Sequence, residues 1–214
     1  MSTARSFIGK TPYRVGPSSI GCRDNPYGKT FAPNPNNERI CLANSDPRQR
    51  GLFGAAWTLG YVSSLADTGV ETVCFGAPTG PTGIIHRPDD AKQPYFGALG
   101  RSAVYPAYHV VAGLTRAVGA RLVTSTSSDD ARVRSLAYRA KGATLLWLAN
   151  MTAQEQSVSV AHAGAGPFGI VLDETSFERA TTEPAAFQAD VRSLDTSKLA
   201  LGAYAVALIC INDR

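Results

Sequence analysis

Apolar positions recur at helical spacing in the first half of the chain and at strand spacing in the second. From Leu52 onward, Phe53, Ala56, Trp57, Leu59, Tyr61 and Leu65 recur at helical spacing. Asp46, Pro47 and Gln49 stand ahead of them as N-cap, first helical position and third position, which predicts a helix beginning at Pro47 with a capping box and ending by Gly69. Residues 70–75 form a short apolar run bounded by turn signals, as expected of a strand buried on both faces. The run opens into residues 76–83, too rich in Gly and Pro for anything but a loop. A second helix is predicted from Pro106 through Tyr108, Val110, Val111, Leu114 and Val118, closed by Gly119. Upstream, Tyr13, Arg14 and Val15 read as a short strand entering a turn. Residues 22–44 are a long loop thick with Asn and Pro.

From about Arg132 the pattern changes. Leu136 and Tyr138, residues 145–148, Val158 and Val160, residues 170–172, and Tyr204, Val206, Leu208 and Cys210 read as short strands separated by turns. Residues 203–212 are apolar on both alternating faces and are expected to form a central strand. The fold class expected is therefore α/β followed by all-β. Residues 1–126 supply the last two βα units of a TIM-type barrel, and residues 127–214 a C-terminal antiparallel β-sandwich with a core of its own, able to fold alone. A closed barrel takes eight such units.

Composition narrows the function classes. With 44% hydrophobic and 18% charged residues, a packed core is expected. The longest apolar run, from Tyr204 to Ile211, is far short of the roughly 20 residues of a membrane helix, so no membrane association is expected. The first residues lack the apolar stretch of a secretory signal, and a cytoplasmic location follows as the default. Cys22, Cys41, Cys74 and Cys210 show no CxxC spacing, and His109 and His162 share no ligand spacing. No metal and no other cofactor is expected. Residues 1–50 carry a net +5 and the remaining 164 a net −1, but the basic residues are interspersed with Gly, Pro, Asn and Asp. Such spaced arginines suit a small anion rather than nucleic acid.

Three stretches carry a resemblance. They are the run from Val15 to Gly28 (VGPSSIGCRDNPYG), the run from Asp46 to Gly60 (DPRQRGLFGAAWTLG) and the run from Phe75 to Pro81 (FGAPTGP). Together they resemble the D-apionate lactonase family, whose members have an N-terminal domain, a barrel-like middle domain and a C-terminal β domain and hydrolyse a branched-sugar lactone to its acid. The resemblance implies a sugar lactone or carboxylate as ligand, and a further N-terminal part of the enzyme as partner. Alone, the chain is expected to be inactive, because barrel active sites draw on the ends of several strands.

Residues just past barrel strand ends face the active site, which selects 18–27 and 76–82. Lactone hydrolysis builds negative charge on the carbonyl oxygen and releases a carboxylate, so Arg23 and Asn25 are candidate stabilisers. Arg23 could equally pair with Asp24. Tyr27 is a candidate for stacking on a sugar or for packing under its loop, and Thr79 for the wall of a polar pocket with Arg23 and Asn25. No catalytic residue is assigned. Arg48 and Arg50, in the first turn of a helix, read as anion ligands or as surface salt bridges. His86 reads as a general acid or base, or as a surface histidine. No Glu ends the first strand, which weighs against a retaining glycosidase. Fragments of such enzymes, or a non-catalytic structural or glycan-binding β module, are the alternatives.

Overall fold

The structure is a computed structural model that describes residues 2–21, 27–90, 93–140, 142–161 and 166–212. A short helix α1 (Ser2–Ile8) precedes strand β1 (Arg14–Ser18). A single 3-10 turn at Pro47–Arg50 leads into helix α2 (Leu52–Ser63), and strand β2 (Thr72–Phe75) returns to pair in parallel with β1. An antiparallel excursion, β3 (Ile85–His86) with β4 (Ala103–Val104), separates β2 from helix α3 (Ala107–Thr115). The two βα units expected from the sequence are thus present.

The start of α2 differs from the expectation in one respect. Gly51, extended at φ −102° and ψ −176°, interrupts the helix after the first turn and becomes the residue ahead of Leu52. Asp46 still caps the turn, accepting from the Arg48 N–H at 2.9 Å. With the true helix starting at Leu52, Gln49 has no capping box to close. Its side chain accepts instead from the Ile20 backbone N–H at 3.0 Å.

The second half is a six-stranded antiparallel sheet. Its members are β5 (Arg121–Val123), β6 (Val133–Ala140), β7 (Ala143–Asn150), β9 (Phe168–Leu172), β10 (Arg192–Ser193) and β12 (Val206–Asn212), in the spatial order β10-β9-β12-β7-β6-β5. The short strands β8 (Gln156–Val158) and β11 (Leu199–Leu201) form a separate two-stranded ladder. Two short helices, α4 (Phe177–Thr182) and α5 (Pro184–Ala189), bridge β9 and β10, an addition the strand periodicity did not announce. The central strand expected at the C-terminus is β12, flanked by β7 and β9. The sheet already begins at Arg121, ahead of residue 127, where the pattern had placed the start of the β part.

Strand alternation sorts the two faces of the sheet. On β7, Trp147 and Ala149 point to one core and Leu146 and Leu148 to another; on β12, Val206 and Leu208 part from Ala207 and Ile209 in the same way. The second core is internal to the β part, closed by Leu199 and Leu201 of β11. The first is shared: Ala55, Ala56 and Leu59 of α2 and Val110 of α3 pack on Leu136, Tyr138 and Trp147 of the sheet. The self-contained core expected of residues 127–214 is therefore only half of what the sheet buries. Leu59 alone, fully buried, contributes about 1.5–3 kcal/mol.

Candidate functional site

The loops that leave β1 and β2, together with the turn ahead of α2, lie at the strand-end side of the βα units. Several contacts hold this side. The Gly76 N–H donates to the Ser18 carbonyl at 2.9 Å, joining the ends of the two strands. Ser18 Oγ donates to the Tyr61 hydroxyl at 3.0 Å, and the Tyr61 ring stacks on Trp57 with centroids 5.1 Å apart. Residues 76–83 fold back on themselves. A Cβ on Gly76 would lie 2.1 Å from the Thr82 carbonyl oxygen, and one on Gly83 2.5 Å from the Thr79 carbonyl carbon, so both close approaches require glycine. The N–H groups of Ile84 and Ile85 then donate to the Pro78 carbonyl at 3.1 and 2.9 Å.

The two arginines of the turn part company. Arg48 folds onto Asp46, with Nε 3.0 Å from Oδ1 and Nη2 2.7 Å from Oδ2. Burial pushes the Asp46 carboxyl up, but the bonds and charge of Arg48 outweigh it and hold the group below its ordinary 3.8. That pair is the salt bridge expected of Arg48, made on a buried carboxylate rather than at the open surface. Arg50 is different, being only 6% exposed. It donates from Nη1 to Asn37 Oδ1 at 2.9 Å, and its guanidinium carbon lies 5.8 Å from the centroid of the Tyr105 ring. Its Nε is buried without a hydrogen-bond partner. An unpaired buried donor costs on the order of 1–3 kcal/mol, so Arg50 Nε is a polar group left unsatisfied in this fold.

Beside Arg50 lies a second buried group. His86, read from the sequence as a surface or catalytic histidine, is 1% exposed. Gln93 Nε2 donates to the Tyr105 hydroxyl at 2.9 Å and faces His86 Nδ1 at 3.2 Å; the Tyr105 hydroxyl lies 3.4 Å from the same nitrogen. Both neighbours can bring a hydrogen to Nδ1, and the three side chains form one buried cluster. Asp90 Oδ2, 3.7 Å away, is beyond hydrogen-bond reach of that nitrogen. Burial pushes the Tyr105 phenol above its ordinary 10.0, against the hydrogen bond from Gln93, so it stays protonated. The His86 ring is thus enclosed, with Nδ1 facing Gln93 and Tyr105 rather than solvent.

Of the residues singled out by sequence, Arg23 and Asn25 lie outside the described residues. Tyr27 is 87% exposed rather than packed under its loop. Thr79 is half-buried at the folded-back tip of the loop after β2. Of the two readings of Arg50, an anion ligand or a surface salt bridge, its burial goes against the second; the burial itself was missed because a position in a first helical turn reads as surface.

Residues 1–119 match the TIM barrel domain of D-apionate lactonase, and residues 130–209 match its C-terminal immunoglobulin-like domain. The chain belongs to the D-apionate lactonase family. The D-apionate lactonase of Brucella anthropi is 33% identical over 159 residues, which are 74% of this chain and 24% of that protein. The chain thus spans about a quarter of the length of the curated relative it matches. Among solved structures, a conserved exported protein from Bacteroides fragilis superimposes with a TM-score of 0.54 at 12% identity, covering 94% of this chain and 39% of the other. A glycoside hydrolase family 30 subfamily 8 xylanase from Clostridium acetobutylicum gives 0.52 at 13% identity, over 77% of this chain and 40% of its own. Both share the fold of this chain over the matched part. Among the described residues, no helix is long and apolar enough to cross a membrane.

Proposed function

We propose that this chain supplies part of the substrate site of a sugar-lactone hydrolase acting on D-apionolactone to give D-apionate. The observation that carries the reading is Arg50, buried on the strand-end side of the βα units with an unpaired Nε. In lactone hydrolysis water adds to the carbonyl carbon, the bond from that carbon to the ring oxygen breaks, and the ring oxygen takes up a proton. The product is a hydroxy acid that ionises to a carboxylate. Negative charge gathers on the carbonyl oxygen at the tetrahedral stage, and a fixed cationic donor that meets it there lowers the barrier. Arg50 fits that role, with Asn37 and Tyr105 setting its plane. Arg23, Asn25, Tyr27 and Thr79 remain proposed ligands for the sugar hydroxyls and the carboxylate.

Water activation is not assigned to His86, which is 1% exposed and faces Gln93 and Tyr105 through Nδ1. We place that step on strand ends beyond these two units, supplied by an N-terminal part of the enzyme. The boundary between the barrel and β parts is proposed near residue 120, in keeping with β5 in the sheet. Free thiols at Cys41, Cys74 and Cys210 support a reducing, cytoplasmic setting. A glycan-stacking module is less well supported: among the described residues, Phe168 is the one exposed aromatic of the β part.

The test is D-apionolactone hydrolysis by this chain, by the chain fused to the N-terminal remainder of the Brucella anthropi relative, and by the fusion carrying Arg50→Gln. Turnover by the fusion, with kcat falling about a hundredfold in the variant, is the expected result. An Arg50→Gln fusion as active as its parent would remove Arg50 from the site. A fusion that folds but is inactive toward the lactone would overturn the activity.

A further inference from the structure

A cavity of about 270 Å³ lies between α3, α5 and the helix-facing side of the sheet. It shares no residue with the Arg50 group. Its depth is apolar, formed by Trp147, Leu172, Phe187 and Val206, all buried. The cavity exists because α3 ends early. Gly113 brings the helix against the Trp147 indole, close enough that a Cβ there would lie 2.4 Å from Cζ2, and α3 stops at Thr115. Two of the large apolar side chains exposed to solvent stand at the opening, Phe168 at 36% and Val191 at 47%.

One chain of hydrogen bonds crosses the roof and fixes the polar chemistry of the opening. Arg116, at the end of α3, can only donate, and its Nη2 meets Gln188 Oε1 at 2.8 Å. Gln188 must then turn its Nε2 to His109 Nδ1, 3.3 Å away, which accepts. His109 Nε2 carries the hydrogen and donates to the Ala180 carbonyl at 2.8 Å. Every group in the series has one possible role, and the result is a neutral buried imidazole and an exposed guanidinium held at the mouth. No carboxylate among the described residues forms an ion pair with Arg116.

We propose that this cavity binds a small amphiphilic carboxylate, its aliphatic body against Trp147 and Phe187 and its carboxylate on Arg116. Apolar walls with a few fixed polar groups at one end are the ordinary make-up of a small-molecule site. The volume accommodates an acyl chain of about eight carbons when about 30 Å³ is allotted to each water-sized unit. The cation at the mouth selects an acid over an alcohol or amine of the same length, since its planar fork matches a carboxylate. A polyhydroxylated lactone would be poorly served by these walls, so this site is distinct from the one proposed for hydrolysis.

The chain has two tryptophans, Trp57 and Trp147, and Trp57→Phe leaves the cavity indole as sole reporter. In that protein and in the unsubstituted chain, 8-bromooctanoate is titrated as a heavy-atom quencher and then displaced by unbrominated acids. Saturable quenching is expected, with competitor affinity rising about fourfold per methylene from butanoate to octanoate. Arg116→Gln should weaken the acid about fivefold and leave 8-bromooctan-1-ol unchanged. Quenching that stays linear in quencher, or that unbrominated acids do not reverse, overturns the proposal. So does an Arg116→Gln protein that binds acid and alcohol as the parent does.

Discussion

The backbone N–H of Ile20 donates to Gln49 Oε1 across 3.0 Å, fastening the segment that leaves β1 to the turn ahead of α2. Both residues are buried, at 8% and 6% exposure, so water does not replace the bond when it is lost. Gln49→Ala is expected to cost about 1–3 kcal/mol, the range for stranding a buried donor, read as a lower urea midpoint. Gln49→Glu keeps an acceptor and should recover part of the loss. An alanine variant with the parent's midpoint would show that the tie contributes nothing.

Glycine at 113 is required by the Trp147 indole, whose Cζ2 and Cη2 would lie 2.4 and 2.7 Å from an added Cβ. Gly113→Ala should destabilise by about 1–3 kcal/mol despite the better helix propensity of alanine. The cause is local, so in a Trp147→Phe background the same change should cost less. A double-mutant cycle measures this directly, and additive effects would rule out the contact as the source.

The legible parts of the fold were those with strong periodicity and few long-range conditions. The βα order and the strands containing Trp147 and Val206 followed from spacing, because burial on one or both faces dictates it. Helices α4 and α5 are six residues each, too short for a periodic pattern to stand out from a loop. At the candidate site, Arg50 was left between an anion ligand and a surface salt bridge because its burial depends on Tyr105, far away in sequence, and on Asn37 in an irregular loop. His86 was misplaced for the same reason, its partners Gln93 and Tyr105 sitting on an excursion that local pattern does not define. Gln49 had the correct type for a capping box, but Gly51 broke the turn before that geometry could form.

His109 supplies a pH dependence. Burial pushes its pKa below the ordinary 6.5, only partly offset by the hydrogen bond to the Ala180 carbonyl. As pH falls through 6.5 the unfolded chain takes up this proton first, while the folded ring stays neutral. Its contribution to stability is therefore complete above 6.5 and declines as pH drops from there toward the folded pKa. Thermal unfolding between pH 7.5 and 5.5 should show a steeper fall for the parent than for His109→Gln, which keeps a donor for Ala180. Parallel curves would mean that the ring does not resist protonation.

The shared core leads to an expectation about dissection. The sheet begins at Arg121, so a fragment of residues 121–214 contains every strand of the β part. Its internal core, with Leu146, Leu148, Leu201 and Ile209, would survive the cut. The opposite face would not, since Leu136, Tyr138 and Trp147 lose α2 and α3 and face water. Exposing an apolar patch of that kind costs several kcal/mol at about 25 cal/mol per Å², a large share of the stability of a small domain. The fragment should therefore unfold without a sharp transition or associate through that face, as judged by thermal denaturation and sedimentation. Substituting Leu136 and Tyr138 by polar residues should reduce the association without restoring cooperativity, because the missing packing is not replaced. A monomeric fragment with a sharp transition near that of the whole chain would show that the helices contribute little to the sheet, and that the boundary at residue 120 separates two independently stable units.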